Sequence, residues 1–307
     1  MTQQMRMDEP PDADLLQRIE ARAAEMARGA GALLARRFGM ALSVEYKDKK
    51  GTDPVSAADK ECQEFLRGEI TRSFPDHGIV GEEDKANDER VREFTWVLDP
   101  LDGTKNFVAG LPVYASSIGV LHQGRPVAGA IFVPWPGTEK GVVVHGRKGV
   151  GTYVDGRKLG ELQLDGPKTN RLSGLPPGAR RRFTLGDEMK DKIGEVRSTG
   201  SVAYELALTA MAVLQYTVTV GPSVWDVAAG ALLVREAGGQ AAVAVRRKRL
   251  GMLRDIEWRP LDGFVAEWGS EKATNKALRE WSRPMAFGST GVVDVLTRNL
   301  RARQKWL

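Results

Sequence analysis

The residues of this chain best suited to chemistry lie in Trp96-Val-Leu-Asp-Pro-Leu-Asp-Gly-Thr-Lys-Asn-Phe107. The apolar run Trp96-Val97-Leu98 reads as a short buried strand that stops at Asp99, where Pro100 turns the chain and Asp102 follows. Both carboxylates and the carbonyl of Leu101 can then converge on one point, and oxygen-only ligands suit a hard cation such as Mg²⁺. A helix opening over Gly103 to Asn106 adds the free amides of Gly103 and Thr104, which favour an anion beside the cation. A surface β-turn with Asp first and Gly last has the same composition, so this stretch alone leaves both readings open.

Three further acidic features bear on the choice. Asp59 stands in the first turn of an expected helix, Gly81-Glu82-Glu83 puts carboxylates on a loop, and Trp225-Asp226 opens a helix behind an apolar strand. Each has an ordinary explanation as well: a capping-box acid behind Ser56, a solvated loop charge and an N-cap, respectively.

Composition narrows the chemistry. The chain has 307 residues, 42% hydrophobic and 28% charged, without repeats, which is the balance of a globular protein of one large or two moderate domains. The single cysteine, Cys62, excludes an intrachain disulfide and reads as a small buried residue of a helix in a reducing compartment. With only three scattered histidines beside it, a protein-built zinc site is not expected, and metal chemistry must rest on carboxylates. A formal charge of +5 is too small to signal nucleic acid. The basic clusters at Arg180, Arg181 and Arg182, at Arg246, Arg247, Lys248 and Arg249, and near the C-terminus fall outside the acidic motifs and read as solvated faces. The N-terminus lacks the pattern of a signal peptide, and the most apolar long stretch, Leu206 to Val220, is broken by Thr209, Gln215, Thr217 and Thr219. A cytoplasmic protein with neither nucleic-acid nor membrane partners is expected.

The elements that must position these residues follow from periodicity. Leu16, Ile19, Ala23, Met26, Ala30, Leu33, Leu34 and Phe38 share one helical face that stops at Gly39. A turn-rich segment, Lys47 to Pro54, precedes a second helix, capped by Ser56 and ending near Phe74 and Pro75. Strand patterns at 113–122, 126–133, 140–145 and 150–154 predict antiparallel hairpins. A stretch rich in Gly, Pro, Asn and Arg over about 165–182 reads as a domain boundary. Beyond it come a helix of 201–213, a strand of 214–220, a helix of 226–236 ending at Gly238-Gly239, strands near 240–245 and 261–266, and a helix of 271–282. The pattern predicts a flexible leader (1–11), an α+β domain (12–165), an α/β domain (166–284) and a basic amphipathic extension (285–307) with Val292, Val295, Leu296 and Leu300 on one face. Ligand sites favour the cleft between such halves.

Taken together, Asp53-Pro-Val-Ser-Ala-Ala-Asp59, Gly81-Glu-Glu83, Trp96-Val-Leu-Asp-Pro-Leu-Asp-Gly-Thr104 and Trp225-Asp-Val-Ala-Ala-Gly230 with Glu236-Ala-Gly-Gly239 resemble the successive signatures of the inositol monophosphatase family. Ser117-Ile-Gly119, Arg147-Lys-Gly-Val-Gly151 and Arg197-Ser-Thr-Gly200 resemble it too, so the likeness runs over roughly residues 12 to 282. It implies a layered αβαβα sandwich of the sugar-phosphatase type and a Mg²⁺-dependent, homodimeric phosphatase for small phosphate monoesters, with two or three ions per site. Under the resemblance, Glu82, Asp99 and the carbonyl of Leu101 hold one metal, Asp99, Asp102 and Asp226 hold a second, and a third, weaker ion shares Glu82. Asp59 and Thr104 activate the attacking water, the amides of Gly103 and Thr104 cradle the phosphate, and Asp102, Ser201, Thr219 and Asp226 face the substrate.

The expected substrate is inositol monophosphate or a related polyol or sugar phosphate. Nucleoside bisphosphates, histidinol phosphate and fructose 1,6-bisphosphate are the alternatives within the superfamily, and a non-catalytic interaction module is the alternative of another class. Thr219 stands where inositol-specific members carry an acid seven positions before the Trp-Asp aspartate, which removes a charge-assisted contact to substrate hydroxyls. Lys105 replaces a small residue, and Glu267-Trp-Gly-Ser270 replaces a sequence of the pocket wall.

Overall fold

The structure, a computed structural model, describes residues 11–40, 44–46, 54–85, 87, 89–138, 140–247, 255–265 and 267–303. The expected leader apart from Pro11, Asp53 with most of the turn before it, Lys248, Arg249 and the last four residues lie outside this set. The helices are α1 (Ala13–Arg37), α2 (Ala57–Ser73), α3 (Thr104–Val108), α4 (Ala179–Arg182), α5 (Val202–Ala210), α6 (Val224–Glu236), α7 (Asn275–Arg279) and α8 (Thr290–Asn299).

Helix α1 begins where Asp12 accepts a hydrogen bond from the Leu15 amide at 3.0 Å, and its last turn carries Arg36 and Arg37, which suit the negative end of the helix dipole. Its apolar face, with Ile19, Ala23, Met26, Ala30 and Leu34, joins Ala58, Cys62, Leu66 and Ile70 of α2. Together they cover one side of a seven-stranded sheet, in the order Gly78–Gly81, Phe94–Asp102, Ala115–His122, Arg125–Val133, Val142–Arg147, Gly151–Val154 and Arg157–Lys158. The first pair is parallel and the rest are antiparallel, as the hairpin signals predict.

Helices α5 and α6 pack on the other side. Helix α6 buries every residue from Val227 to Val234, because it lies between two sheets and has no solvent face. Glycines let it approach: a Cβ on Gly119 would stand 2.7 Å from that of Ala228, and one on Gly129 would stand 3.0 Å from the Cα of Ala229. The second sheet runs Glu195–Arg197, Leu172–Gly174, Leu214–Thr219, Met285–Ser289, Gly239–Arg247 and Asp255–Pro260, and α8 closes its outer face. The layers are therefore α1/α2, sheet, α5/α6, sheet and α8, the expected αβαβα sandwich.

Three local expectations change. The strand expected to stop at Asp99 continues to Asp102 through a β-bulge. The strand expected at 261–266 lies at Asp255–Pro260; Leu261 and Phe264 are buried, but their three-residue spacing inserts both from a loop after Pro260. The helix expected over 271–282 shrinks to α7, because Val91 donates to the Ala273 carbonyl at 2.9 Å and Arg90 bridges Thr274, holding the chain extended up to the Thr274 cap.

The largest difference concerns residues 285–307. Met285–Ser289 is not part of an appended extension. It pairs with Leu214–Thr219 on one side and Gly239–Arg247 on the other, with all five residues buried. Helix α8 then buries Val292, Val293, Val295 and Leu296 against this sheet. Five residues including Ala and Gly show no alternation, so this central strand has no sequence signature. Phe287, fully buried in it, is expected to cost about 3–5 kcal/mol on replacement by Ala, read by urea unfolding. Truncation after Arg283 is expected to abolish the cooperative transition, whereas a removable appendage leaves it intact.

Candidate functional site

The bulge decides where the acids point. Asp99 pairs with Ser117 and Asp102 with Ala115, so three steps on one strand match two on its neighbour. Before the bulge, Trp96 and Leu98 face the α1/α2 core while Val97 faces the α6 core. After it, Leu101 returns to the α1/α2 core, which leaves Asp102 on the same side as Asp99. Strict alternation puts those two carboxylates on opposite faces. The Leu101 amide donates to Asp99 Oδ1 at 3.1 Å, and the Cys62 thiol donates to the Pro100 carbonyl at 3.3 Å, tying the bulge to itself and to α2.

Asp59 performs the capping role and still has an oxygen to spare. Its Oδ2 accepts from the Ser56 amide at 2.7 Å and the Ser56 hydroxyl at 2.5 Å. The Thr104 hydroxyl lies 3.0 Å from Asp59 Oδ1 and 3.0 Å from the Leu101 carbonyl. Gly103 precedes α3 with φ 91°, and a Cβ there would stand 3.0 Å from the Val113 carbonyl oxygen, so the turn requires glycine.

The remaining acids arrive from separate elements. Asp226 is in the first turn of α6, which begins at Val224, and accepts from the Ser223 amide at 2.8 Å. Asp102 Oδ2 accepts from the Ser201 hydroxyl at 2.8 Å and the Ala203 amide at 2.5 Å. Ser201 is also the N-cap of α5, accepting from the Tyr204 amide, so its hydroxyl serves the fold and Asp102. Glu82 follows the strand Gly78–Gly81 and its amide donates to the Leu98 carbonyl at 3.0 Å.

These carboxylates act on one another. Burial, then the charges of Glu82, Asp102 and Asp226, hold the Asp99 carboxyl well above its usual range. Burial, then Asp102, does the same for Asp226. Burial pushes Asp102 up to about 7 against the hydrogen bonds from Ser201 and Ala203, and burial raises Asp59 against those from Ser56 and Thr104. Among the described residues, no three His, Cys, Asp or Glu side chains already form a group fit to hold a metal. Asp99 nevertheless lies within hydrogen-bond reach of both Glu82 and Asp226. The donors are hard oxygens short of positive charge, the kind of set that takes Mg²⁺.

The inositol monophosphatase family matches residues 15–280. The chain belongs to that family. Its relatives include a fructose-1,6-bisphosphatase/inositol-1-monophosphatase of Aquifex aeolicus, 32% identical over 68% of this chain and 79% of that protein. An inositol-1-monophosphatase of Mesorhizobium japonicum is 33% identical over 70% and 81% of the two chains, and Nus factor SuhB of Escherichia coli is 33% identical over 71% and 82%. In structure, the extragenic suppressor protein suhB of Bartonella henselae aligns with a TM-score of 0.67 at 24% identity, covering 91% of this chain and 97% of that one.

Against the family pattern, Thr219 is buried and its hydroxyl has no hydrogen-bond partner among the described residues, while Lys105 is exposed. The histidines serve packing: His77 accepts from the Trp96 indole, His122 faces Glu93 and His145 faces Glu20. Two residues near the site escape the motif reading. Glu205 on α5 accepts from the amide and hydroxyl of Thr199 at 2.8 and 3.0 Å, and burial raises its pKa; a lone acid inside an apolar helix is the signal that could have found it. Arg279 touches the loop of Glu82 and carries no sequence signal.

With its pKa raised to about 7, Asp102 holds a proton in the folded protein that the unfolded chain has released, but only between the ordinary carboxylate range and about pH 7. That contribution to stability is complete below the ordinary carboxylate range and disappears as the pH rises through about 7. In EDTA, the melting temperature of Asp102→Asn relative to wild type is therefore expected to rise from pH 5 to pH 8; a constant difference would mean that Asp102 titrates normally.

Proposed function

We propose that this protein is a Mg²⁺-dependent phosphomonoesterase that hydrolyses a small polyol or sugar phosphate, with inositol monophosphate the leading candidate, by attack of water on phosphorus. Membership of a family of phosphoric monoester hydrolases supports the reaction class. The observation that carries the mechanism is the mutual electrostatic influence of Glu82, Asp99, Asp102 and Asp226 beside the Asp59–Thr104 pair.

On this reading Glu82, Asp99 and the Leu101 carbonyl hold one ion, and Asp99, Asp102 and Asp226 hold another. Bound Mg²⁺ supplies Lewis-acid polarisation of the phosphate and acidifies water. The chain supplies orientation and a proton acceptor. The Thr104 hydroxyl donates to Asp59 Oδ1, which leaves its lone pairs to receive a water hydrogen. Asp59, its basicity raised by burial, takes the proton. Gly103, lacking a side chain, lets the phosphate approach the backbone, and Asp102 is kept in one rotamer by Ser201 and Ala203. Thr219 in place of an acid removes a charge-assisted contact to substrate hydroxyls, which supports a broader polyol range, and its own hydroxyl is shut off from solvent. Homodimerisation and a cytoplasmic location belong to the same proposal; no helix among the described residues is long and apolar enough to cross a membrane.

The relatives named Nus factor SuhB favour a second reading, an interaction module. A binding surface has no need of Asp59, Glu82, Asp99, Asp102 and Asp226 together, so catalysis remains the leading function. Phosphate release should be measured with Mg²⁺ on inositol 1-phosphate, fructose 1,6-bisphosphate, adenosine 3′,5′-bisphosphate and histidinol phosphate. Turnover is expected on at least one, to be abolished by EDTA and to fall by about a thousandfold or more in Asp99→Asn with an unchanged circular dichroism spectrum. Full activity in EDTA or in that variant refutes the mechanism; Mg²⁺ binding without turnover on any substrate favours the interaction module.

A further inference from the structure

We propose that Arg279 is a positioning residue of the acidic site: its guanidinium fixes the loop carrying Glu82, braces the turn carrying Asp226, and thereby sets the affinity for Mg²⁺. The inference rests on the reading of these acids as a Mg²⁺ centre.

Arg279 ends α7, about 200 residues along the chain from the loop it holds. One guanidinium nitrogen donates to the Gly81 carbonyl and another to the Glu82 carbonyl at 3.1 Å. The same group lies over the Trp225 ring, 4.9 Å from its centroid, and Asp226 is the next residue. The Trp225 carbonyl in turn accepts from the Ser117 hydroxyl at 3.2 Å. No carboxylate partners Arg279 among the described residues, so its charge is directed at two loop carbonyls and one ring.

The rest of the loop shows why this matters. Its amides are held by the N-terminal half: Gly81 N–H by Asp84 at 2.8 Å, Glu82 N–H by Leu98 at 3.0 Å and Glu83 N–H by Gln63 at 3.1 Å. The Gly81 carbonyl also receives the Asp84 amide at 3.2 Å, and Arg279 adds the charged contacts to this carbonyl and the next. Amides and carbonyls together define the peptide planes on either side of Glu82, and hence the direction of its side chain. Glu82 and Asp99 act on one another as like charges beside Asp102 and Asp226, so Glu82 must be held close to negative charge, and bonds at the loop carbonyls add to those at its amides in resisting displacement. A guanidinium can fork to two carbonyls and stack on a ring at once; an ammonium reaches one carbonyl and stacks poorly.

The full-length chain tests this with Arg279→Ala, Arg279→Lys and Arg90→Ala, the last lining the same cleft and donating instead to the Gly269 carbonyl. Mg²⁺ affinity is read by calorimetry and by the Mg²⁺-induced shift in melting temperature, alongside half-saturating Mg²⁺ and KM for the best substrate. Both Arg279 variants are expected to need about tenfold more Mg²⁺, equivalent to about 1.4 kcal/mol, with KM at saturating Mg²⁺ within about twofold of wild type and Arg90→Ala unchanged. Wild-type Mg²⁺ affinity in Arg279→Ala overturns the proposal. Should that variant lose its cooperative transition, Arg279→Lys and Trp225→Phe decide on the same readouts. A wild-type chain that neither binds Mg²⁺ nor releases phosphate overturns the underlying reading, and this inference with it.

Discussion

Two carboxylates three residues apart on a strand point to opposite faces unless the strand gains a residue. The bulge between Asp99 and Asp102 is that residue, and the rest of the site depends on it. It returns Leu101 to the α1/α2 core while turning Asp102 toward α5, where Ser201 and Ala203 hold it. Pro100 suits the position because a bulged residue needs no ladder donor. The cost of interrupting the ladder is offset by bonds made within the bulge and to Cys62 and by the buried side chains on both faces of the sheet.

The fold places negative charge where it is unwelcome and then anchors it. Asp59 and Asp226 each complete a capping box, so one acid serves both a helix end and the shared cleft. Burial makes Asp59, Asp99, Asp102 and Asp226 reluctant to ionise, and a cation entering the cleft would favour their charged forms and displace the protons they hold. The second half of the chain contributes Asp226, the bonds to Asp102 and the Arg279 clamp. The site consequently forms only when the layers are stacked.

Legibility followed the range of the signal. α1 and α2 were readable because a 3.6-residue period and a local cap specify them. The meander was readable from its hairpin turns. Met285–Ser289 was not, since a strand covered on both sides and flanked by two others needs no alternation. Ser201 reads as a substrate contact in sequence, yet its hydroxyl is taken by Asp102 and Tyr204. Arg279 bears no motif because its partners are two carbonyls, which any residue supplies, and a ring distant in sequence.

By itself the sequence determined the family and the layered architecture, and it singled out the acidic residues proposed for the site, because ordered motifs and helix periods are local and survive without a fold. Tertiary structure alone decided that the strand runs on through Pro100, that residues beyond 284 complete the second sheet, and which polar groups hold each carboxylate. Those outcomes depend on contacts between residues far apart in the chain. Burial and repulsion, which set the protonation of the site, exist only once the sheets and helices have closed around it.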